Sequence, residues 1–385
     1  MKALHILKTA DGARWAWRQV RVLRSLGVEV DVVLPGPGTM TAAYRDAGIP
    51  VHLLDCDLGR IRSPRTFGTT VRALRQLVSD LTPDIVHSHF VGPALLARLA
   101  LGRNRGPSRI FQVPGPLHLE HAPSRTIDLL TAGPVDHWIA SCHKTRSIYL
   151  AEGVDPARVG LSFYGTDVET MTTGQSGRVR PGMMLAASTK LIGMVAYAYR
   201  PKRWLGQRTG IKGHEDLIDA VALLRQQGRQ VALVFAGGAW AGAEAYYEEI
   251  QAYARHVLGT NATFLGNRND VMDIYADLDV AVHPSHSENL GGAVESLLAA
   301  VPTVATNVGG LPDVVIPGVT GWLCPAQSPA SLAAAIGKVL DDPVEASRRA
   351  LAGRELVRRE LDVNRTAAQV LDFYRLILDH RGPQG

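Results

Sequence analysis

The residues best placed to do chemistry lie in one stretch, His283-Pro-Ser-His-Ser-Glu288-Asn-Leu-Gly291-Gly292-Ala-Val-Glu295-Ser-Leu-Leu-Ala-Ala. The apolar run ending at His283 predicts a strand, the polar loop after it presents Glu288, and paired glycines open a helix. The first N–H groups of a helix lack intrahelical partners and carry its positive end, so a phosphate arriving over side-chain-free Gly291 and Gly292 is favoured. Glu295, in the first turn, can accept hydrogen bonds from ligand hydroxyls or simply stabilise the helix start. The stretch points to a phosphate-bearing ligand.

Other residues offer weaker chemistry. His87 and His89 share a strand face and His118-Leu-Glu120-His121 follows in a loop, but without thiol partners or a helical His-x-x-x-His they read as cleft-lining or buried histidines, not a zinc site. Asp55-Cys-Asp57 and Asp277-Leu-Asp279 match a metal-holding acidic pair in letters only and read as structural. Trp15 and Trp17 straddle a helix start and read as packing residues. Gly36-Pro-Gly38-Thr-Met-Thr41 misses the dinucleotide fingerprint, with threonine at the third glycine, and follows the second strand.

These residues need elements to position them. Strand-like runs alternate with helical patterns: Ala3 to Leu7, a helix from about Ala13 to Leu26, Val28 to Leu34, then Val51 to Leu54, Ile85 to His87, Ile110 to Val113 and His137 to Ser141. The pattern breaks at Glu169 to Arg180, rich in Thr, Gly and Ser. It restarts at Leu191 to Val195 and runs through Val231 to Phe235, Ala262 to Leu265, Val280 to His283 and Thr303 to Ala305. Amphipathic helices follow at Ser331 to Leu340, Ala346 to Glu360 and Asn364 to His380. Strand–helix alternation predicts an α/β chain with two doubly wound parallel sheets. Ligands of such sheets bind beyond the carboxyl ends of the strands, so a site is expected in a cleft between two facing domains. The expected domains are 1–175 and 176–363, with 364–385 a final helix packing back toward the first.

Composition narrows the class. The 385 residues are 46% hydrophobic and 20% charged, which excludes a disordered chain and favours two cores. No run of eighteen apolar residues exists, and the start shows no cleavage-type site, so neither a membrane span nor export is expected. Cys56, Cys142 and Cys324 are widely spaced and odd in number, which suits a reducing cytoplasm. The net charge of +5 comes from residues 1–175, with 20 Lys+Arg against 15 Asp+Glu. Arg60, Arg62, Arg65, Arg72 and Arg75 form a dense run that could meet an anionic membrane or acceptor, or be a solvated helix face. Nucleic acid is not expected, for no reader motif accompanies it. Seven lysines against 34 arginines suggest a GC-rich bacterial genome.

The 283–295 stretch, with Pro302-Thr-Val-Ala-Thr306-Asn-Val-Gly309-Gly310-Leu-Pro312-Asp313 and Gly318-Val-Thr-Gly321, resembles the donor region of family-4 retaining glycosyltransferases of the GT-B fold. Pro83-Asp84-Ile-Val-His87-Ser-His89, Tyr164-Gly165-Thr-Asp167, Lys212-Gly213-His214 and Asp279-Val-Ala-Val-His283-Pro-Ser285 extend the resemblance. It implies two Rossmann-like domains, a nucleotide-sugar donor and retention at the anomeric carbon. By the same resemblance Glu288 contacts hydroxyls of the transferred sugar, Glu295 the ribose, Gly291 and Gly292 (with Asn289 and Leu290 ahead of them) the diphosphate, and Lys212 the leaving phosphates. Gly12 would face the diphosphate from the first domain.

The chain departs from the family pattern in four places. Six residues, not seven, separate Glu288 from Glu295. Tyr197 stands where the family has an arginine, and Arg200 or Arg208, from the insertion-like Pro201-Lys202-Arg203-Trp204-Leu-Gly-Gln-Arg208, is the substitute. The first loop has Asp11-Gly12 for a twin glycine. Pro114-Gly115 replaces His-Gly, which leaves His118 or His121 to take the histidine's role.

The implied enzyme is a cytoplasmic hexosyltransferase, with peripheral docking on the inner membrane face left open by the basic run, that uses a UDP-sugar by preference. Its acceptor would belong to a surface polysaccharide, a lipid-linked intermediate or a natural product. No metal or cofactor is expected, because Lys212, Arg200 and the Gly291 helix end can oppose the charge of the leaving diphosphate. The alternatives are a nucleotide-sugar epimerase or hydrolase on the same fold, an NAD-dependent oxidoreductase, and a catalytically dead sugar-nucleotide sensor.

Overall fold

The computed structural model describes residues 1–381 apart from 62, 105, 172, 173, 184, 204 and 205, so Arg62 of the basic run and Trp204 of the insertion lie outside the described residues. Two units are present, one made of Met1–Asp167 with Leu361–Gly385 and the other of Val168–Glu360. The division falls at residues 167 and 360, where the sequence reading had placed it at 175 and 363. The connecting segment is tied into the second unit: the Asp277 carboxylate accepts from the N–H groups of Gly177, Val179 and Arg180, and Asp273 accepts from that of Gln175 at 2.8 Å.

The first unit holds β1 (Lys2–Ile6), β2 (Glu29–Leu34), β3 (Val51–Leu53), β4 (Ile85–Ser88), β5 (Ser108–Val113), β6 (Asp136–Ala140) and β7 (Val159–Leu161). They form one sheet in the order β3-β2-β1-β4-β5-β6-β7, with every pairing parallel. The second holds β8 (Lys190–Val195), β9 (Val231–Ala236), β10 (Ala262–Phe264), β11 (Val280–His283), β12 (Thr303–Thr306) and β13 (Trp322–Cys324). Their order is β10-β9-β8-β11-β12-β13, again all parallel. Runs such as Val-Ala-Leu-Val-Phe-Ala in β9 are apolar throughout because helices cover both faces of a parallel sheet. The edge strands β7 and β13 were not expected. Each is three residues long, as are the edge strands β3 and β10, which the sequence did show.

Helix ends follow local chemistry. Ser63 caps Pro64–Leu81 by accepting from Thr66 N–H at 3.1 Å, with proline at the first turn. The last helix, Val363–Arg381, buries Val370, Tyr374 and Ile377 against Val20 and Leu23 of the helix Arg14–Ser25, so it belongs to the first unit's core. Burial of each such large apolar side chain contributes about 1.5–3 kcal/mol. Among the described residues no helix is long and apolar enough to cross a membrane.

Candidate functional site

Each sheet reverses its strand order once, between β1 and β4 in the first unit and between β8 and β11 in the second. These switch points leave crevices at the carboxyl ends of the strands, where open α/β sheets take their ligands. Gly12 lies just past β1, and Lys212, Glu288, Gly291 and Gly292 lie past β8 and β11.

The second unit brings four of its candidates together. Lys212 Nζ donates to Glu288 Oε2, and both side chains are largely enclosed, at 19% and 14% exposure. Ser285 Oγ also donates to Glu288 Oε2 (3.3 Å), and Asn289 N–H donates to Oε1 (3.1 Å). Gly213, with φ +73°, lets the Lys212 turn press on the carbonyl oxygen of Pro284, where a Cβ would collide. His286 locks the same contact: its N–H donates to Ile211 O at 2.8 Å and its Nε2 meets Asp216 Oδ2 at 2.7 Å. Gly291 has φ +51°, a left-handed conformation that favours glycine, and Gly292 caps the helix Ala293–Leu298. That helix is only six residues long, so turn amides and Lys212, more than its dipole, provide the positive potential. Leu290 is buried, while Ser287 Oγ and Asn289 Oδ1 are buried without hydrogen-bond partners. Glu295 is the third residue of the helix and half-buried.

Charge states follow from these contacts. Burial pushes the Glu288 carboxyl up, but the Lys212 ammonium and the hydrogen bonds outweigh it and hold the group below its ordinary value. Burial pushes Lys212 down, and Glu288 more than reverses this. Both stay ionised at neutral pH. Behind them His283, bonded through Nε2 to Ser296 Oγ at 2.9 Å, is pushed down to about 4 by burial, as is His214. The Tyr199 ring lies 5.8 Å from Lys212 Nζ and stacks on Trp240, which also meets Tyr197 edge-on. Tyr199 and Trp240 went unnoticed in the sequence because only the fold gathers them beside Lys212.

The first unit's candidates sit in different company. Gly12 has φ +73° in an exposed loop, where Asp11 Oδ1 accepts from Thr39 N–H at 2.9 Å. His87 and His89 join His5, which the sequence did not single out, and not His118 or His121. The three rings are fully buried and stacked, with centroids 4.4–5.2 Å apart and planes within 24°. Their ring nitrogens lie within 4.8 Å of one another, so the three make a buried group that could hold a metal ion. It is knit by hydrogen bonds from His5 to His89 (2.9 Å), from His89 to Tyr164 (2.9 Å) and from His87 to Tyr374. His118 lies 3.5 Å from Asp128 and 3.4 Å from Tyr149 Oη, in a network that Arg98 completes.

The remaining candidates have other partners. Asp57 accepts from Gly59 N–H and Asp279 pairs with Arg180 and Lys190, so both acidic pairs are engaged locally. Trp15 packs on Tyr164, and Trp17 Nε1 donates to Ala43 O. Gly38 is packed on the Ala10 carbonyl, where a dinucleotide loop would need open space. Arg200 and Arg208 line a cavity whose lining does not include Lys212 or Glu288, and no hydrogen bond or ion pair joins either arginine to those two among the described residues.

Comparison with known proteins gives this site a context. The family described as Glycosyl transferases group 1 matches residues 205–355, and the Glycosyl transferase 4-like domain matches residues 12–161. A glycogen synthase of Mycobacterium tuberculosis is 34% identical over 174 residues, 44% of this chain and 41% of that protein. A D-inositol 3-phosphate glycosyltransferase of Mycolicibacterium gilvum is 28% identical over 244 residues, 62% of this chain and 51% of its own length. The matches thus span about half the length of these relatives. The fold is similar to that of Anabaena HepE in complex with UDP-glucose, with a TM-score of 0.75 at 20% identity over 97% of this chain and 99% of that one. With a family match in each unit and two doubly wound sheets between them, the chain belongs to the group 1, family-4 glycosyltransferases of the GT-B fold.

Proposed function

We propose that the protein is a retaining glycosyltransferase. It moves a hexose-type sugar from a nucleotide diphosphate donor, UDP-linked by preference, to a hydroxyl of a saccharide, lipid-linked or natural-product acceptor. It does so without a bound metal ion. One observation carries this reading: an enclosed Lys212–Glu288 ion pair beside the Gly291–Gly292 turn, at the switch point of the second sheet. The relatives named above and a UDP-glucose complex of the same fold support it.

The chemistry follows from charge. As the bond from the anomeric carbon to the phosphate oxygen breaks, negative charge grows on the diphosphate and the sugar gains oxocarbenium character. Lys212, held cationic by Glu288, opposes the first; the amides of Gly291 and Gly292 add donors without side-chain obstruction. Glu288 anchors sugar hydroxyls, and Asn289 Oδ1 and Ser287 Oγ supply polar atoms that are buried and unpartnered. Glu295 holds the ribose. The acceptor oxygen bonds to the anomeric carbon on the face that the phosphate leaves, and its proton passes to the departing phosphate oxygen, so no side-chain base is required.

The test is a thermal-shift screen against nucleotide sugars, followed by transfer with the best donor and NMR of the product. Retained configuration and full activity in EDTA are expected. An inverted product, or activity lost in EDTA and restored by a divalent ion, overturns the reading.

A further inference from the structure

Residues between β8 and the helix His214–Gln226 line a pocket. It is a cavity of about 780 Å³ in the second unit, and its lining includes Arg200, Lys202, Arg203, Arg208, Tyr246 and Glu249. Lys212, Glu288, Gly291 and Gly292 are not part of that lining. Several arginines elsewhere in this unit have acidic partners: Arg229 pairs with Asp341, Arg268 with Asp270, and Arg348 and Arg349 with Glu345. The four cations of the pocket make no ion pair and no side-chain hydrogen bond among the described residues. Only the Glu249 carboxylate opposes them within the lining. The Tyr246 hydroxyl is already engaged, accepting from Gly210 N–H at 2.6 Å and donating to Glu215.

Four like charges around one concavity repel each other and focus a positive field into it, a cost that a bound polyanion removes. Guanidinium groups present forked N–H donors that match phosphate oxygens two at a time. The volume is that of a small-molecule site and exceeds what one phosphate fills. We propose that this pocket binds a ligand with two or more phosphate-type negative charges, such as a triphosphate chain, a phosphorylated saccharide or a phosphorylated lipid headgroup. The assignment stands apart from the transfer reading and does not need it.

Titration calorimetry of the whole chain with tripolyphosphate tests the proposal. The Lys202→Glu/Arg203→Glu variant is expected to bind at least about tenfold more weakly than the parent, since two charge-assisted contacts become repulsions. Arg203→Gln should give a smaller loss in the same direction, whereas Lys212→Ala should remove only the tripolyphosphate bound beside Gly291 and leave the component lost on charge reversal within about twofold of the parent. No binding by the parent protein, equal binding by the charge-reversed variant, or loss in Lys212→Ala alone each overturns the proposal. Sedimentation with phosphatidylcholine vesicles containing phosphatidic acid separates the sources. Binding that tripolyphosphate displaces and charge reversal abolishes assigns the pocket to a lipid phosphate; tripolyphosphate binding without sedimentation assigns it to a soluble anion.

Discussion

The two switch points occupy the same place in two sheets of like topology and hold opposite chemistry. At the end of β4, His87 and His89 stack with His5 under Tyr164 and Tyr374, a sealed set of neutral rings. At the end of β11, the equivalent strand, the loop carries Glu288 to the Lys212 ammonium in a partly open crevice. The first set is insulated by burial: His5 is pushed down to about 3, and His87 and His89 are pushed well below the usual histidine range, by burial first and by one another. The second is kept charged by its own pairing. Topology therefore sets where a ligand can sit, while side-chain partners decide whether charge is available there.

The largest expected effect breaks the charged side. Lys212→Ala should lower kcat by about 10²–10³ while donor affinity changes far less, because the leaving charge peaks in the transition state. Steady-state kinetics beside donor titration checks this, and an equal loss in both contradicts the role. The same change strands the Glu288 carboxylate and should cost about 1–3 kcal/mol in a urea melt.

Acid sharpens the comparison. A buried histidine whose folded pKa is depressed contributes stability that is complete above its unfolded value near 6.5 and is lost as pH falls toward the folded value. From pH 7 to pH 5 each such ring should give up about 2 kcal/mol. The first unit holds His5, His87 and His89, together with His137 pushed down to about 4 by burial, whereas the second holds His214 and His283. Hydrogen exchange resolved by unit should therefore show the first losing more protection in acid. The Lys212–Glu288 pair is intact at pH 5 because Glu288 titrates below its ordinary value.

Smaller effects come from the rims of the two sites. Glu295→Gln should weaken nucleotide binding by about tenfold with little change in turnover of bound donor, which follows if the carboxylate meets the ribose. In the first unit Arg65 and Arg72 are exposed along Pro64–Leu81, whereas Arg60 pairs with Asp57 and Arg75 donates to Ala100 O. Replacing Arg65 and Arg72 by Glu should reduce sedimentation with acidic vesicles by at least about 1 kcal/mol per site. Unchanged sedimentation would show that this face does not meet a membrane.

Much of this was legible along the chain, and the limits have physical causes. Strands β1, β2, β8, β9 and β11 were readable because parallel strands are apolar on both faces. The edges β7 and β13 were not, although β3 and β10, of the same three-residue length, were. Gly291 and Gly213 announce backbone requirements in letters, and positive φ at both fits. The partners of Lys212 and His5 were hidden because they stand 76 and 84 residues away. Arg200, read as the stand-in for a missing arginine beside the donor, lines a pocket with Arg203 and Arg208, a grouping no spacing along the chain announces.

By itself the sequence determined what depends on neighbours in the chain: two α/β lobes, where strands end, and where glycine permits a turn. The tertiary structure alone decided which side chains meet. The ionisation of Lys212 and Glu288, the neutrality of the stacked histidines and the gathering of arginines around one pocket depend on distance and dielectric in space, to which chain separation is no guide.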